Sequence, residues 1–248
     1  MDLLLRRHFR VASYDVGPRG EARPSALMGW LEEAAGEHAA SWKLSVVDLF
    51  PRGLTWVLSR YRLEVKRWPR FGEGLEVATW PSGRSSMFAT RDFEVVGADG
   101  SPVALATTSW AVLDLSTKKP VAVTEVVPQE FLLERRTLAD GFAALPKLET
   151  SERNVELPVM LRDLDMNLHV NHVVYVQWAL EAVPPEIAAA RWPKGLEVSY
   201  RAEARLGDRV VSAAAGVPGE PGERVFVHRI AHAQTGAELA RVRSRWNA

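Results

Sequence analysis

The amino-acid sequence predicts an α+β fold built from two copies of one unit, each a curved antiparallel sheet wrapped around one long helix. The first observation is an internal repeat, in which residues 100–110 match residues 236–246, each running from a turn glycine to a tryptophan 136 positions apart. The second is that residues 28–34 resemble residues 176–182 at an offset of 148. Repetition at a fixed spacing over most of a chain is the mark of a duplicated structural unit.

Each copy shows the same order of patterns, a short strand, one helix and then several strands. In the first copy we expect a strand at 7–13, a helix at 25–42, and strands at 56–67, 75–80, 88–96 and 103–113. In the second copy we expect a strand at 154–161, a helix at 171–183, and strands at 196–206, 209–216, 224–233 and 238–246. Glycine-rich turns at 98–100 and 218–222 separate the last strands of each copy.

The second helix is apolar on almost every side, as expected when a sheet wraps around it, and Pro184 and Pro185 end it. The predicted units are residues 1–134 and 153–248, joined by a linker at 135–152. We expect the second unit to carry the active site, because the start of its helix is a rigid place to mount one.

Composition narrows the classes of function. The chain has 248 residues, 47% of them apolar, with 31 basic and 31 acidic side chains. No overall field therefore attracts nucleic acid or an anionic membrane. The sequence contains no cysteine, which excludes disulfides, thiolate catalysis and cysteine-ligated metals. No signal peptide or membrane-spanning run is visible, so we expect a cytoplasmic protein without membrane insertion.

A polar run just before the second helix carries the chemistry of this sequence. Asp165, Asn167 and His169 occupy every second position of segment 162–171, and the apolar run 172–182 follows at once. Backbone N–H groups in the first turn of a helix lack intrahelical partners, and the helix dipole is positive there. We therefore expect these N–H groups to hold an oxyanion while the three side chains handle water and protons.

These residues also carry a resemblance to a known family. The run Asp-Leu-Asp-Met-Asn-Leu-His-Val-Asn-His-Val-Val-Tyr at 163–175 and the tetrapeptide Tyr-Arg-Ala-Glu at 200–203 resemble the acyl-acyl-carrier-protein thioesterases of plants and bacteria. That family is built as two tandem hot-dog units, and the resemblance extends over nearly the whole chain. It implies hydrolysis of fatty acyl thioesters, with no cofactor, at the matching positions Asp165, Asn167, His169 and Glu203.

The sequence departs from the family pattern in two ways. Some members have a cysteine after the glutamate, but Ala204 stands there in this chain, which excludes a cysteine nucleophile. Plant members carry an N-terminal targeting extension, and none is visible here, so the bacterial type is the nearer match.

The residues themselves leave the roles open. A thioester has a leaving thiol with a pKa of about 8.5, so its departure needs little acid help, and the main tasks are to orient water and stabilise the oxyanion. Asp165 or Glu203 would act as the general base or as a nucleophile that forms an anhydride, with Asn167 and His169 positioning water and carbonyl.

Glu203 also has a structural interpretation. Strict alternation along the predicted strand 196–206 places it with Arg201 and Arg205 on an ion-paired face, opposite the apolar residues. A β-bulge, or a site on that face, would be needed for Glu203 to serve in catalysis.

Metal binding is not expected. Segment 163–174 imitates the start of an EF-hand loop, but Leu168 stands where glycine is needed and Val174 where glutamate is needed. The pair His169 and His172 has no further histidine nearby and is a weak zinc signal. His172 is better explained as a helix-start residue. Asp163 and Arg162 are better explained as a pair or as a cap of the turn.

The first copy lacks the polar series. If Asp15 corresponds to Asp165, then Gly17 replaces the amide and Arg19 replaces the imidazole. We therefore predict one active site per chain. The first helix is then available to line an acyl tunnel with Leu27, Met28, Trp30 and Leu31. The alternative is that these four residues are ordinary core.

The expected partner is an acyl carrier protein bearing a phosphopantetheine-linked chain. Such carriers are acidic, so docking would use a basic cluster. One candidate cluster is Arg60, Arg62, Lys66, Arg67 and Arg70, and the other is Arg191, Lys194, Arg201, Arg205 and Arg209. Three alternatives remain open: acyl-coenzyme A thioesters as substrates, a non-catalytic acyl-binding module, and a hydratase or dehydratase. The sequence also allows a homodimer.

Overall fold

The computed structural model describes residues 2–248, which form two compact units, the first ending at Phe142 and the second beginning at Ala143. Segment 135–152, expected as a linker, is divided between them. In the first unit Arg136 Nε lies 2.9 Å from Asp92 Oδ2. In the second, Arg241 donates to the carbonyl oxygen of Leu145 over 3.1 Å. Each part of the segment is therefore packed against its own unit.

The first unit is an antiparallel sheet with one long helix. Its strands lie in the order β1-β3-β4-β5-β2, with β6 paired to β5. The elements are β1 (Leu5–Arg10), α1 (Pro24–Ser41), α2 (Val46–Leu49), β2 (Leu54–Val65), β3 (Gly74–Arg84), β4 (Ala89–Gly97), β5 (Pro102–Asp114) and β6 (Pro120–Val121).

The second unit repeats this arrangement. Its strands lie in the order β7-β9-β10-β11-β8, which is the order of the first unit strand for strand. The elements are β7 (Arg153–Pro158), α3 (His172–Glu181), α4 (Pro185–Ala190), β8 (Gly195–Tyr200), β9 (Arg209–Val217), β10 (Glu223–His232) and β11 (Glu238–Asn247). The predicted α+β fold of two tandem hot-dog units is confirmed.

The two long helices show the repeat most directly. Both β1 and β7, and likewise α1 and α3, begin 148 positions apart. Proline occupies the start of α1, where its missing N–H costs nothing, and Asn171 caps α3 by accepting the Val173 N–H over 3.0 Å. In α3 only Gln177 and Glu181 are exposed, so this helix has one polar stripe, which agrees with the prediction of an apolar surface on almost every side. Among the described residues no helix is both long and apolar enough to cross a membrane.

The duplicated tryptophans share one hydrogen bond. In β5, Trp110 donates its indole N–H to the Thr108 hydroxyl over 2.9 Å. In β11, Trp246 donates to the Ser244 hydroxyl over the same 2.9 Å. A buried indole N–H needs a partner, and a hydroxyl two residues earlier on the same strand face supplies it in both units.

Candidate active site

The polar segment before α3 folds as a narrow loop closed by backbone hydrogen bonds. An isolated antiparallel bridge joins Leu164 to Val170. Inside it the Asp165 N–H donates to the His169 carbonyl over 2.8 Å, and outside it the Asn171 N–H donates to the Asp163 carbonyl over 2.8 Å. The loop therefore delivers its tip residues at a fixed place beside the first turn of α3.

Asp165 shapes the tip of this loop. Its Oδ1 accepts the N–H of Asn167 over 2.8 Å and the N–H of His169 over 3.4 Å. This is an Asx turn, in which a short carboxylate replaces backbone partners. One oxygen of the carboxylate is thus committed to the backbone of the two polar residues that follow it.

Glu203 lies against His169, and a change in the strand explains why. The His169 Nε2 is 3.1 Å from the Glu203 Oε2, with the glutamate side chain half-exposed. Strand β8 ends at Tyr200, and both Arg201 and Ala202 donate their N–H groups to the carbonyl of Leu239, over 2.9 and 3.2 Å.

Two successive donors on one acceptor form a bulge, so the side-chain alternation does not continue to residue 203. The prediction of a strand through residue 206 was wrong. The regular strand face that alternation assigned to Glu203 therefore does not form, although Arg205 still lies 3.9 Å from the Glu203 carboxylate.

Two tyrosines hold this bulged segment against α3. The Tyr175 hydroxyl accepts the Ala204 N–H over 3.0 Å and donates to the Ala202 carbonyl over 3.4 Å. The Tyr200 hydroxyl donates to the His172 carbonyl over 3.1 Å. Burial raises the pKa of Tyr175 to about 12, so its hydroxyl stays protonated. Sequence reasoning used these tyrosines as family markers and missed this positioning role.

The expected oxyanion donors at the start of α3 are already in use. The Val173 N–H donates to the Asn171 side chain and the Val174 N–H donates to the Asn171 carbonyl, each over 3.0 Å. The prediction of free first-turn N–H groups was wrong for Val173 and Val174, because the cap residue Asn171 accepts both. Within residues 2–248 the Asn167 side-chain amide makes no hydrogen bond, so its N–H groups are not used by the protein itself.

His172 and Asp163 are structural. Burial lowers the pKa of His172 to about 4, which keeps its imidazole neutral in the first turn of α3. The Asp163 Oδ2 accepts the Met160 N–H over 2.8 Å, so this carboxylate caps the turn before the loop as expected. Arg162 lies 3.9 Å from it, side chain in solvent. No group of three metal-ligating side chains occurs in the described chain.

The first unit contains the same loop without the polar series, in a different register from the one predicted. The Val16–Ala22 bridge matches Leu164–Val170, 148 positions on. The Asp15 Oδ2 accepts the Ala12 N–H over 2.8 Å, so Asp15 corresponds to Asp163 and not to Asp165.

This register replaces all three polar residues of the site. Gly17 then stands for Asp165, Arg19 for Asn167 and Glu21 for His169. The last two form an ion pair, with 3.1 Å between Arg19 Nε and Glu21 Oε2.

The first unit also contains a cavity of about 180 Å³ beside α1. Its walls include Ala35, Gly36 and Ala39 of the helix and three tryptophans, namely Trp42, Trp56 and Trp110. The helix residues expected to line a tunnel do not border it and are buried in packing instead, namely Leu27, Met28, Trp30 and Leu31. The alternative of ordinary core therefore holds for those four.

Comparison with known proteins places this geometry in a class and then in a family. Two tandem hot-dog units with a polar loop at the start of the second helix define a double hot-dog protein. Residues 2–131 match the model of the acyl-ACP thioesterase N-terminal domain and residues 147–248 that of the C-terminal domain. The chain belongs to the acyl-ACP thioesterase family.

Similar proteins come from plants and bacteria. A chloroplastic acyl-acyl-carrier-protein hydrolase of Cuphea viscosissima is 28% identical over 97% of this chain, which spans 62% of that relative. The oleoyl-acyl carrier protein thioesterase 2 of Arabidopsis thaliana is 29% identical over 97% of this chain and 76% of its own length.

Solved structures show the same fold. The 12:0-ACP thioesterase of Umbellularia californica superposes with a TM-score of 0.88 at 26% identity, covering 99% of this chain and 94% of the other. An acyl-ACP thioesterase of Bacteroides thetaiotaomicron superposes with a TM-score of 0.85 at 24% identity, covering 97% of this chain and 96% of the other.

Proposed function

We propose that this protein hydrolyses fatty acyl thioesters, preferring acyl-acyl-carrier-protein over acyl-coenzyme A, and releases the free fatty acid that ends chain elongation. The observation that carries the proposal is the pairing of His169 with Glu203, 3.1 Å apart, at the tip of the loop shaped by Asp165. We place the reaction in cytoplasmic fatty acid biosynthesis, as expected for a bacterial-type member of this family.

The His169–Glu203 pair suggests how water is activated. If Nε2–H donates to the Glu203 carboxylate, the Nδ1 of a neutral imidazole carries a lone pair that accepts a proton. Glu203 then fixes the tautomer and stabilises the imidazolium that forms, which is the role of the acidic member of a hydrolytic triad. His169 is therefore our candidate general base, and Glu203 its positioning residue.

The reaction follows in two steps. A water molecule loses a proton to His169 Nδ1 while its oxygen forms a bond to the thioester carbonyl carbon, and the Asn167 amide donates to the resulting oxyanion. The intermediate then collapses, the C–S bond breaks, and the sulfur takes the proton from the imidazolium. A thiol with a pKa of about 8.5 is a good leaving group, so no separate acid is required.

Asp165 supports this arrangement through hydrogen bonds to the loop backbone. Its Oδ1 accepts the backbone N–H groups of Asn167 and His169, which fixes the backbone from which the amide and the imidazole project. We propose one such site per chain, since the first unit has Gly17, Arg19 and Glu21 at the equivalent positions.

Free thiol release from acyl-acyl-carrier-protein and acyl-coenzyme A across chain lengths tests the proposal. We expect faster release from the carrier-bound substrate and loss of at least a hundredfold in kcat for His169→Ala, folded to the same content of secondary structure. Acyl binding without thiol release from any substrate would instead support the non-catalytic module.

A further inference from the structure

Large apolar side chains stand in solvent around the candidate active site. They come from the segment before the loop, the loop tip and the turn after Glu203. We call this set the apolar collar; its members are Met160, Leu161, Met166, Leu168 and Leu206, exposed by 43, 74, 73, 72 and 56%. Exposed apolar residues are ordinary when scattered, but a group of them at one place marks an interaction site.

Backbone hydrogen bonds bring the collar residues together within the second unit. The Val170 N–H donates to the Ala204 carbonyl over 3.0 Å, and the Val159 N–H donates to the Asp208 carbonyl over 2.9 Å. The segment 159–170 and the turn 204–208 therefore run side by side. The collar residues therefore lie on the segments that carry and flank the tip where His169 meets Glu203.

The first unit supplies an internal control for these side chains. Its loop has the same hydrogen bonds, including Val11 N–H to the Glu73 carbonyl and Ala22 N–H to the Pro69 carbonyl. At the positions equivalent to the first four collar residues it carries Ala12, Ser13, Pro18 and Gly20. Only Leu206 has a large apolar counterpart, the exposed Phe71. The backbone therefore does not require apolar side chains at four of the five positions.

Leu168 has a backbone conformation that leucine disfavours. Its φ is +62°, in the left-handed region, and the equivalent Gly20 has a φ of +72°. Glycine adopts this conformation without strain, whereas leucine does so only at a cost. An exposed leucine at a position that favours glycine indicates that its side chain is used for contact.

The charges beside the collar indicate which partner covers it. Arg162 and Arg205 point into solvent with 82 and 68% of their side chains exposed, and each is 3.9 Å from its nearest carboxylate. Arg205 belongs to the second basic cluster suggested by the sequence. Five other members of the two clusters lie closer to carboxylates of their own unit: Arg62 to Glu64, Arg67 to Glu73, Lys194 to Glu223, Arg201 to Glu238 and Arg209 to Glu156.

We propose that the apolar collar, with Arg162 and Arg205 at its rim, is the surface on which an acidic carrier protein docks to deliver the thioester. This inference rests on the proposed function. An acidic carrier complements the two exposed arginines, whereas a second copy of this chain in a symmetric dimer would set them against each other. The collar lies on the segments beside the loop tip, so a carrier docked on it would present its thioester next to His169.

The experiment replaces collar residues with those of the first unit. The triple variant Met160→Ala, Leu161→Ser, Leu168→Gly takes side chains that the same backbone already carries. We expect the ratio of kcat/KM for carrier-bound acyl substrate to kcat/KM for a short synthetic thioester to fall at least tenfold. Arg162→Glu should lower the same ratio and weaken its dependence on salt.

The matched control is Tyr14→Ser with Phe71→Ser, which removes exposed aromatic side chains from the equivalent loops of the first unit. This control should leave the ratio within twofold. If the triple variant is not folded, Leu161→Ser and Leu168→Gly made singly test the same contact.

Three other outcomes would overturn the proposed docking surface and leave the proposed function intact. A ratio unchanged in the triple variant rules the collar out as the carrier site. Collar-dependent dimerisation in sedimentation would assign the surface to a second copy. Collar-dependent binding of the unmodified protein to vesicles of anionic phospholipid would assign it to a membrane. Failure of the unmodified protein to hydrolyse any thioester would instead refute the proposed function itself.

Discussion

The hydroxyl of Tyr175 accepts the backbone N–H of Ala204 over 3.0 Å, which ties helix α3 to the residue that follows Glu203. The same hydroxyl donates to the Ala202 carbonyl over 3.4 Å. The bulged segment that carries Glu203 is thereby fixed from both sides by one side chain of the buried helix. The position of the Glu203 carboxylate therefore depends on Tyr175, which takes no chemical part in the proposed reaction.

Tyr175→Phe tests this dependence. The change leaves the Ala204 N–H without its partner in a buried place, so we expect a loss of about 1 to 3 kcal/mol in the free energy of unfolding, measured with urea. We expect kcat to fall at least tenfold because Glu203 moves from His169. Tyr14→Phe, at an exposed tyrosine, is the control for both measurements. Full activity in a destabilised Tyr175→Phe protein would refute the positioning role.

A double-mutant cycle on His169 and Glu203 tests their pairing. If Glu203 acts only through the imidazole, then Glu203→Gln lowers kcat in the unmodified protein but has almost no effect when His169 is already alanine. We expect a loss of about one hundredfold for His169→Ala, about tenfold or more for Glu203→Gln, and no further loss in the double variant. Losses that multiply would show that the carboxylate acts on the substrate independently.

Two substitutions at Asp165 distinguish its role as hydrogen-bond acceptor in the turn from the role of its negative charge. Asparagine keeps an oxygen that accepts the Asn167 and His169 N–H groups, whereas alanine removes it. We expect Asp165→Ala to lose about 1 to 2 kcal/mol of unfolding free energy and Asp165→Asn to lose about half of that or less. We also expect Asp165→Asn to retain more thiol-release activity than Asp165→Ala. Equal inactivity of the two at unequal stability would assign the carboxylate a direct chemical role.

Leu168 and Gly20 predict opposite stability changes at equivalent backbone positions. Leu168→Gly relieves left-handed strain of about 1 to 2 kcal/mol but adds about 0.5 to 1 kcal/mol of chain entropy to the unfolded state, so we expect a gain of up to about 1 kcal/mol. Gly20→Leu should lose a similar amount, since open space surrounds that position and only the backbone resists. Thermal unfolding of both variants checks the signs; a loss on Leu168→Gly would contradict the assigned strain.

Buried histidines predict a loss of stability in acid. Burial lowers the pKa of His228 to about 3 and that of His38 to about 4. Because the unfolded chain takes up protons near pH 6.5 and the folded one does not, stability is complete above that pH and decreases below it. For His228, which is fully buried, we expect about 3 kcal/mol to be lost between pH 6.5 and pH 4.

The measurement is urea unfolding across this pH range with His228→Asn, which cannot gain a proton there. The variant should show a shallower loss of stability in acid, and His8→Asn, at an exposed histidine, should show the slope of the unmodified protein. A second observation is independent of variants: the His228 imidazole signal in NMR should not titrate above pH 4. Titration of that signal near neutrality would contradict its burial in the neutral form.

Much of the fold was predictable because the same pattern occurs twice, so each copy supports the elements predicted for the other. The strand ending on Trp110 and its copy ending on Trp246 match at one sequence offset. In the structure they are the equivalent strands β5 and β11, and each tryptophan makes the same hydrogen bond. Hydrophobic periodicity and proline positions placed both long helices within a residue or two at their starts. These signals are local, so they survive without knowledge of the packing.

The errors arose where backbone hydrogen bonds depart from regular patterns. Alternation predicts a regular strand through Glu203 because nothing local marks the bulge at Arg201 and Ala202, whose shared acceptor Leu239 is on another strand. The predicted alignment of Asp15 with Asp165 rested only on their positions before the two helices. Only the paired bridges show that Asp15 corresponds to Asp163. The prediction of free N–H groups at the start of α3 fails at Val173 and Val174, because Asn171 caps them.

The sequence by itself determined the duplicated α+β fold and the polar series Asp165, Asn167 and His169, because periodicity and residue spacing are properties of the chain alone. The tertiary structure decided that Glu203 reaches His169 and that two tyrosines hold the segment that carries it. It also decided that four apolar side chains stand exposed beside the site: Met160, Leu161, Met166 and Leu168. Those relationships join residues far apart in the chain, and their geometry depends on bulges and buried hydrogen bonds that no local pattern encodes.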